Sequence, residues 1–179
     1  MSKSALVVID MLNHYEHEDA TELRKAVRPA LPHIQAILAR AVSAGVTIAY
    51  VNDNHGDWSA GRSEICARAL SGADPALVEP ILPPADAAFL PKARHSIFYE
   101  TQLDYMLRRE GIERIVLTGQ VTEQCILYSA LDAYVRHYSI VVPHDAVAHI
   151  HEDLADAALR MMQINMAAEV PSAARCSFS

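Results

Sequence analysis

Cysteine is scarce in this chain. Cys66, Cys125 and Cys176 are the three in 179 residues, far apart and odd in number. No CxxC pair or Cys/His cluster occurs, so neither a disulfide framework nor a structural zinc site is expected. Long apolar runs are missing too. No stretch is long enough to span a bilayer, and the N-terminal run Ala5–Ile9 meets Asp10 too early for a secretory signal. Basic clusters are absent: fifteen Lys and Arg against twenty-two Asp and Glu leave a net charge of −7. Nucleic acid and membrane are therefore poor partners. With six glycines in all, the chain follows its first apolar run with Asp10-Met11-Leu12-Asn13. That is no glycine-rich phosphate loop, which disfavours a nucleotide-binding module. Together these absences predict a reduced, soluble, cytoplasmic protein.

Short apolar runs and helical patterns alternate along the rest. Residues 5–9, 46–51, 87–90, 115–117, 138–142 and 167–170 are predicted strands. Helices are predicted over 20–44, 59–70, 101–110, from Thr122 to Tyr134, and over 151–165. Such alternation argues for one α/β domain, a parallel sheet covered by helices on both faces.

The stretch Arg114–Tyr134 organises the chain. Ile115-Val116-Leu117 has the branched, apolar character of a doubly buried strand. Gly119 breaks the run, and Thr122 with Glu123 predicts a helix start, hydroxyl capping the free N–H groups and acid facing the dipole. Cys125 then falls in the first turn of a helix leaving the carboxyl end of a strand. An α/β sheet places its ligand site there, and the positive helix end lowers a thiol pKa. Asp10 and Lys92 also follow predicted strands, so the three can meet at one edge. A carboxylate can serve a thiol as base, and an ammonium can stabilise the thiolate.

Four fragments carry a resemblance: Ala5–Met11 (ALVVIDM), Tyr50–Asn54 (YVNDN), Lys92–Phe98 (KARHSIF) and Leu117–Cys125 (LTGQVTEQC). In that order they resemble the isochorismatase-like cysteine hydrolase superfamily, whose members include nicotinamidases, N-carbamoylsarcosine amidohydrolases and isochorismatases. The resemblance covers nearly all of residues 1–179. It implies a Rossmann-like three-layer αβα sandwich with a six-stranded parallel sheet in the order 3-2-1-4-5-6. It also implies a catalytic triad of Asp10, Lys92 and Cys125, a cis peptide between Gln120 and Val121, and an oxyanion hole from the Val121 and Cys125 N–H groups. Thr122 would anchor that loop. The implied activity is hydrolysis of a small amide, carbamoyl or related acyl substrate through a thioester, in a homo-oligomer, dimer or tetramer, to which the helix 125–134 contributes.

The first motif departs from the family's usual Asp-Met-Gln-Asn-Asp-Phe, reading Asp-Met-Leu-Asn-His-Tyr at 10–15. His14 and Tyr15 thus alter a loop that borders the substrate. With Trp58, Phe98 and Tyr128 they are the aromatic pocket candidates. Keeping Cys125 favours amidase over isochorismatase chemistry. Nicotinamidases bind metal through an Asp-x-His pair and a later histidine. Asp53 and His55 match the pair, but no histidine lies between Gly56 and Arg94, so no metal or other cofactor is expected. Cys66 and Cys176 are taken as structural, and His55, His95, His144 and His149 as loop histidines. The alternatives are an isochorismatase-type or nicotinamidase-type hydrolase, or a non-catalytic relative that keeps Cys125 for ligand capture or oxidation.

Overall fold

The computed structural model describes residues 3–178. Strand β1 (Lys3–Ile9) is buried along all but its first residue and pairs in parallel with β2 (Thr47–Asp53) on one side. On the other side it pairs with β4 (Ile112–Gln120). Strand β3 (Ala88–Lys92) lies outside β2 and β5 (Ser139–Val141) outside β4, giving the parallel order β3-β2-β1-β4-β5. A two-residue strand β6 (Val147–Ala148) pairs with the far end of β4, opposite Gly119 and Gln120. Pro91 is tolerated because β3 is an edge strand, where a missing N–H costs no ladder bond.

Helices α1 (Ala20–Ser43) and α2 (Arg62–Leu70) cover one face, burying Leu23, Val27, Ile34, Ile37 and Ile65 against Leu6, Val8, Ile48 and Val116. Helices α3 (Leu103–Arg109), α4 (Leu127–Val135) and α5 (Glu152–Asn165) cover the other. There Leu103, Leu107, Ala130, Ala133 and Met162 meet Ala5, Val7, Ile9, Ile115 and Leu117. The fold is thus a three-layer αβα sandwich. Alternate residues of β1 face opposite helical layers, the period-two rule of a strand buried on both sides. The outer face of α4 leaves Tyr128, Leu131, Tyr134 and Val135 exposed. No helix among the described residues is long and apolar enough to cross a membrane.

Three expectations are corrected. The strand predicted over 167–170 is reduced to a single bridge, Glu169 beside Val141. The sixth strand is instead β6, inside what reads in the sequence as a loop. Gly119 does not end its strand. β4 runs through it with φ +115°, and a Cβ there would collide with the Ile9 carbonyl oxygen. The glycine serves close approach of β1 and β4. Thr122 caps nothing: its hydroxyl donates to the Ala148 carbonyl at 3.0 Å, and residues Thr122–Ile126 form a π-helical turn ahead of α4.

Candidate active site

Three carboxyl strand ends deliver the predicted residues to one place. Asp10 is the first residue past β1 and sits at φ +53°, a left-handed conformation that aspartate tolerates better than most residues. Its N–H donates to the Val51 carbonyl at 3.1 Å, and its own carbonyl accepts from Gln120 Nε2 at 2.7 Å. Its Oδ1 accepts the Asp53 N–H at 2.7 Å. These bonds tie Asp10 to β2 and to the end of β4. Asn52 fixes the next residues, exchanging bonds of 2.9 and 3.1 Å with the N–H and carbonyl of Leu12.

Lys92 ends β3, where the sequence reading has it in the loop beyond, and its side chain is fully buried. Its Nζ lies 2.8 Å from Asp10 Oδ2, 3.8 Å from Asp53 Oδ2 and 3.6 Å from Cys125 Sγ. Burial alone would depress the ammonium's pKa. The opposing pull of Asp10, with Cys125 and Asp53, outweighs it, and the pKa is raised.

Cys125 lies in the π-helical turn and is 8% exposed. The expected lowering of its pKa is overturned. Burial pushes the thiol far up and the Asp10 carboxylate adds to it, while Lys92 and the Val121 backbone oppose without prevailing. The helix-end argument fails because it counts neither desolvation nor a carboxylate beside the thiol. The Gln120–Val121 peptide is cis.

Sγ opens into a cavity of about 250 Å³ lined by Asp10, Asp53, His55, His95, Gln120, Val121, Gln124 and Cys125, and closed from the α1 side by Asn13, His17, Asp19 and Leu23. None of the five aromatic candidates lines it. Trp58 is 83% exposed. Phe98 is buried against Tyr138 in the core. Tyr15 is buried too, its hydroxyl 3.4 Å from Gln120 Oε1, and burial raises its pKa to about 12. His14 packs edge-on against His55, and Tyr128 leans on His95. The sequence reading missed Asn13, His17, Asp19, His95 and Gln124. His95 left a signal: it stands three residues past Lys92 in the same loop, and its Nδ1 lies 3.7 Å from Sγ.

Asp53 and His55 do not make a metal set. Asp53 Oδ1 accepts the His55 N–H at 2.7 Å, and its other oxygen faces Lys92. Among the described residues no group of three or more His, Cys, Asp or Glu is gathered to hold an ion.

An isochorismatase domain model matches residues 4–175. The chain belongs to the isochorismatase family. YaaI of Bacillus subtilis, an uncharacterized isochorismatase family protein, is 34% identical over 172 residues, covering 95% of each chain. The ureidoacrylate amidohydrolase RutB of Klebsiella pneumoniae is 30% identical, over 80% of this chain and 72% of its own. The crystal structure of N-carbamoylsarcosine amidase from Thermoplasma acidophilum superposes with a TM-score of 0.70 at 31% identity, over 98% of this chain and 99% of that one. The three-layer αβα arrangement and its parallel sheet thus sit within the family's fold.

Proposed function

We propose that the chain is a cysteine hydrolase of small amides or carbamoyl compounds, working through a thioester on Cys125. The observation that carries this reading is one thiol at the wall of a polar cavity with Lys92 Nζ at 3.6 Å, itself 2.8 Å from the Asp10 carboxylate. Two of the relatives named above are an amidohydrolase and an amidase, in keeping with it.

The chemistry follows from the protonation pattern. Because burial keeps the thiol neutral, the nucleophile forms only as substrate arrives, when the Asp10 carboxylate takes the proton and Lys92 steadies the sulfur's charge. Sγ attacks the carbonyl carbon, and the Val121 and Cys125 N–H groups receive the oxyanion. Asp10 passes its proton to the nitrogen, which departs as ammonia or an amine. Water then cleaves the thioester.

The cavity also speaks to substrate charge. Asp10, Asp19 and Asp53 line it, with Lys92 buried behind and no Arg or Lys in the wall. An uncharged or cationic group of a small amide substrate is therefore favoured against Asp19 and Asp53 in that wall.

The test is ammonia release from a panel of small amides, with acid quenching to trap the acyl-enzyme for peptide mass analysis. The wild type should hydrolyse at least one amide and carry the acyl group on Cys125. Asp10→Asn should be slower by about 10²–10⁴-fold, the usual worth of a positioned acid–base. Wild-type turnover in Cys125→Ala would sink the proposal. Ligand binding without hydrolysis, unchanged in Asp10→Asn, would mean a non-catalytic relative.

A further inference from the structure

We propose that His95 is the base of the second half-reaction, activating the water that cleaves the thioester; this rests on the hydrolase reading above. Sγ has ionisable neighbours of two kinds. Asp10 and Lys92 form the buried pair, their side chains 13% and 0% exposed. His95 is exposed, lines the same cavity, and brings Nδ1 to 3.7 Å from Sγ. Its ring packs against Tyr128, centroids 5.4 Å apart, which limits its swing away from the sulfur.

Position separates the tasks. In the first half-reaction the proton travels between two partners already inside the site, the thiol and the leaving nitrogen, so a buried carboxylate suffices. In the second, the nucleophile is water entering from solvent. Asp10 is held from behind by Lys92 and the Asp53 N–H and is 13% exposed, whereas His95 is exposed at the cavity wall. His95 stands on the solvent side, next to the atom that bears the acyl group. A water between Nδ1 and the acyl carbon gives its proton to Nδ1 as its oxygen bonds to carbon. The C–S bond then breaks, its electron pair returns to Sγ, and His95 Nδ1–H hands the proton to the sulfur across the 3.7 Å contact. The balance is thioester plus water to acid plus thiol, with His95 and Cys125 restored.

The probe is p-nitrophenyl acetate, whose first product is coloured and whose acetyl group can be weighed on the protein. In wild type and His95→Ala, p-nitrophenolate release is followed in stopped flow, and the acetyl-Cys125 lifetime by quenched mass analysis. In His95→Ala the release of acetate from the enzyme should slow much more than the first p-nitrophenolate release. The acetyl-enzyme should persist about 10²-fold longer or more, and added imidazole should shorten its lifetime. His95 is exposed, so the variant should fold, and a circular-dichroism melt coinciding with the wild type's checks this. Equal slowing of both phases, or an unchanged acetyl lifetime, would overturn the assignment. If the wild-type acetyl group sits elsewhere than Cys125, the nucleophile assignment itself falls and His95's role with it.

Discussion

Lys92 Nζ and Asp10 Oδ2 face each other at 2.8 Å, with the lysine side chain wholly shielded from solvent. A buried ammonium without its partner is costly, so Asp10→Asn should destabilise as well as inactivate. Removing one member of a buried pair costs about 3–5 kcal/mol. Asp53, at 3.8 Å from the same nitrogen, should keep the loss near the lower figure. Urea unfolding of the two proteins measures it, and equal midpoints would show that the pair does not support the fold.

The same substitution should make the thiol more reactive toward a simple alkylating agent. Asp10 raises the Cys125 pKa and Lys92 lowers it, so losing the carboxylate leaves the ammonium unopposed. Each unit of fall is about tenfold more thiolate at pH 7.5. Iodoacetamide should therefore label Cys125 at least several-fold faster in Asp10→Asn. Slower labelling would mean that the carboxylate already holds the proton at rest.

Alkaline pH should weaken the fold. The pKa values of Cys66, Cys125 and Cys176 are all raised by burial in the folded state. A raised folded pKa gives stability that is complete below the unfolded value, about 8.5 for a thiol, and is lost as pH climbs toward the folded one. At pH 10 a thiol still protonated in the fold sets the unfolded chain at an advantage of about 2 kcal/mol. Lys92, also raised, adds its part only above about pH 10.4. Urea midpoints should fall from about pH 8.5 upward, less steeply in Cys125→Ala. A flat profile between pH 7.5 and 10 counts against the buried-thiol picture.

Gly119→Ala probes the close approach of β1 and β4. A Cβ there meets the Ile9 carbonyl oxygen, and φ +115° is unfavourable for any side chain. The backbone conformation alone costs about 1–3 kcal/mol, and the collision must move Ile9, next to Asp10. Stability should drop by more than that range's lower end, and catalysis should fall with it. Retention of full activity would mean that the sheet edge tolerates the shift.

Much of this was legible in the sequence because strand ends are. Buried runs such as Ala5–Ile9 and Ile115–Leu117 announce themselves, and the residues just past them share one edge whatever the loops do. That brings Asp10, Lys92 and Cys125 together, while motif resemblance supplied the strand order. Side-chain direction within loops has no such signal. Trp58 and Tyr128 have the right chemistry for a pocket and do not line it, whereas Asp19 and His95 look like ordinary polar residues and do. The thiol pKa was misjudged for a related reason: a helix end is visible in sequence, but desolvation is a property of everything packed around it.

Asp19 should set the charge preference of the cavity. It precedes α1 yet makes no capping hydrogen bond, and its carboxylate acts electrostatically on His17 in the same wall. Its charge lies at the cavity it lines and offsets the positive end of α1. At about 8 Å and an effective dielectric of about 20, a substrate carboxylate is repelled by about 2 kcal/mol. Asp19→Asn removes that charge at constant shape. KM for amides bearing a carboxylate should fall about tenfold or more, with kcat and the KM of neutral amides little changed. If neutral amides lose affinity equally, Asp19 binds the amide itself, and charge selection must be sought at Asp53.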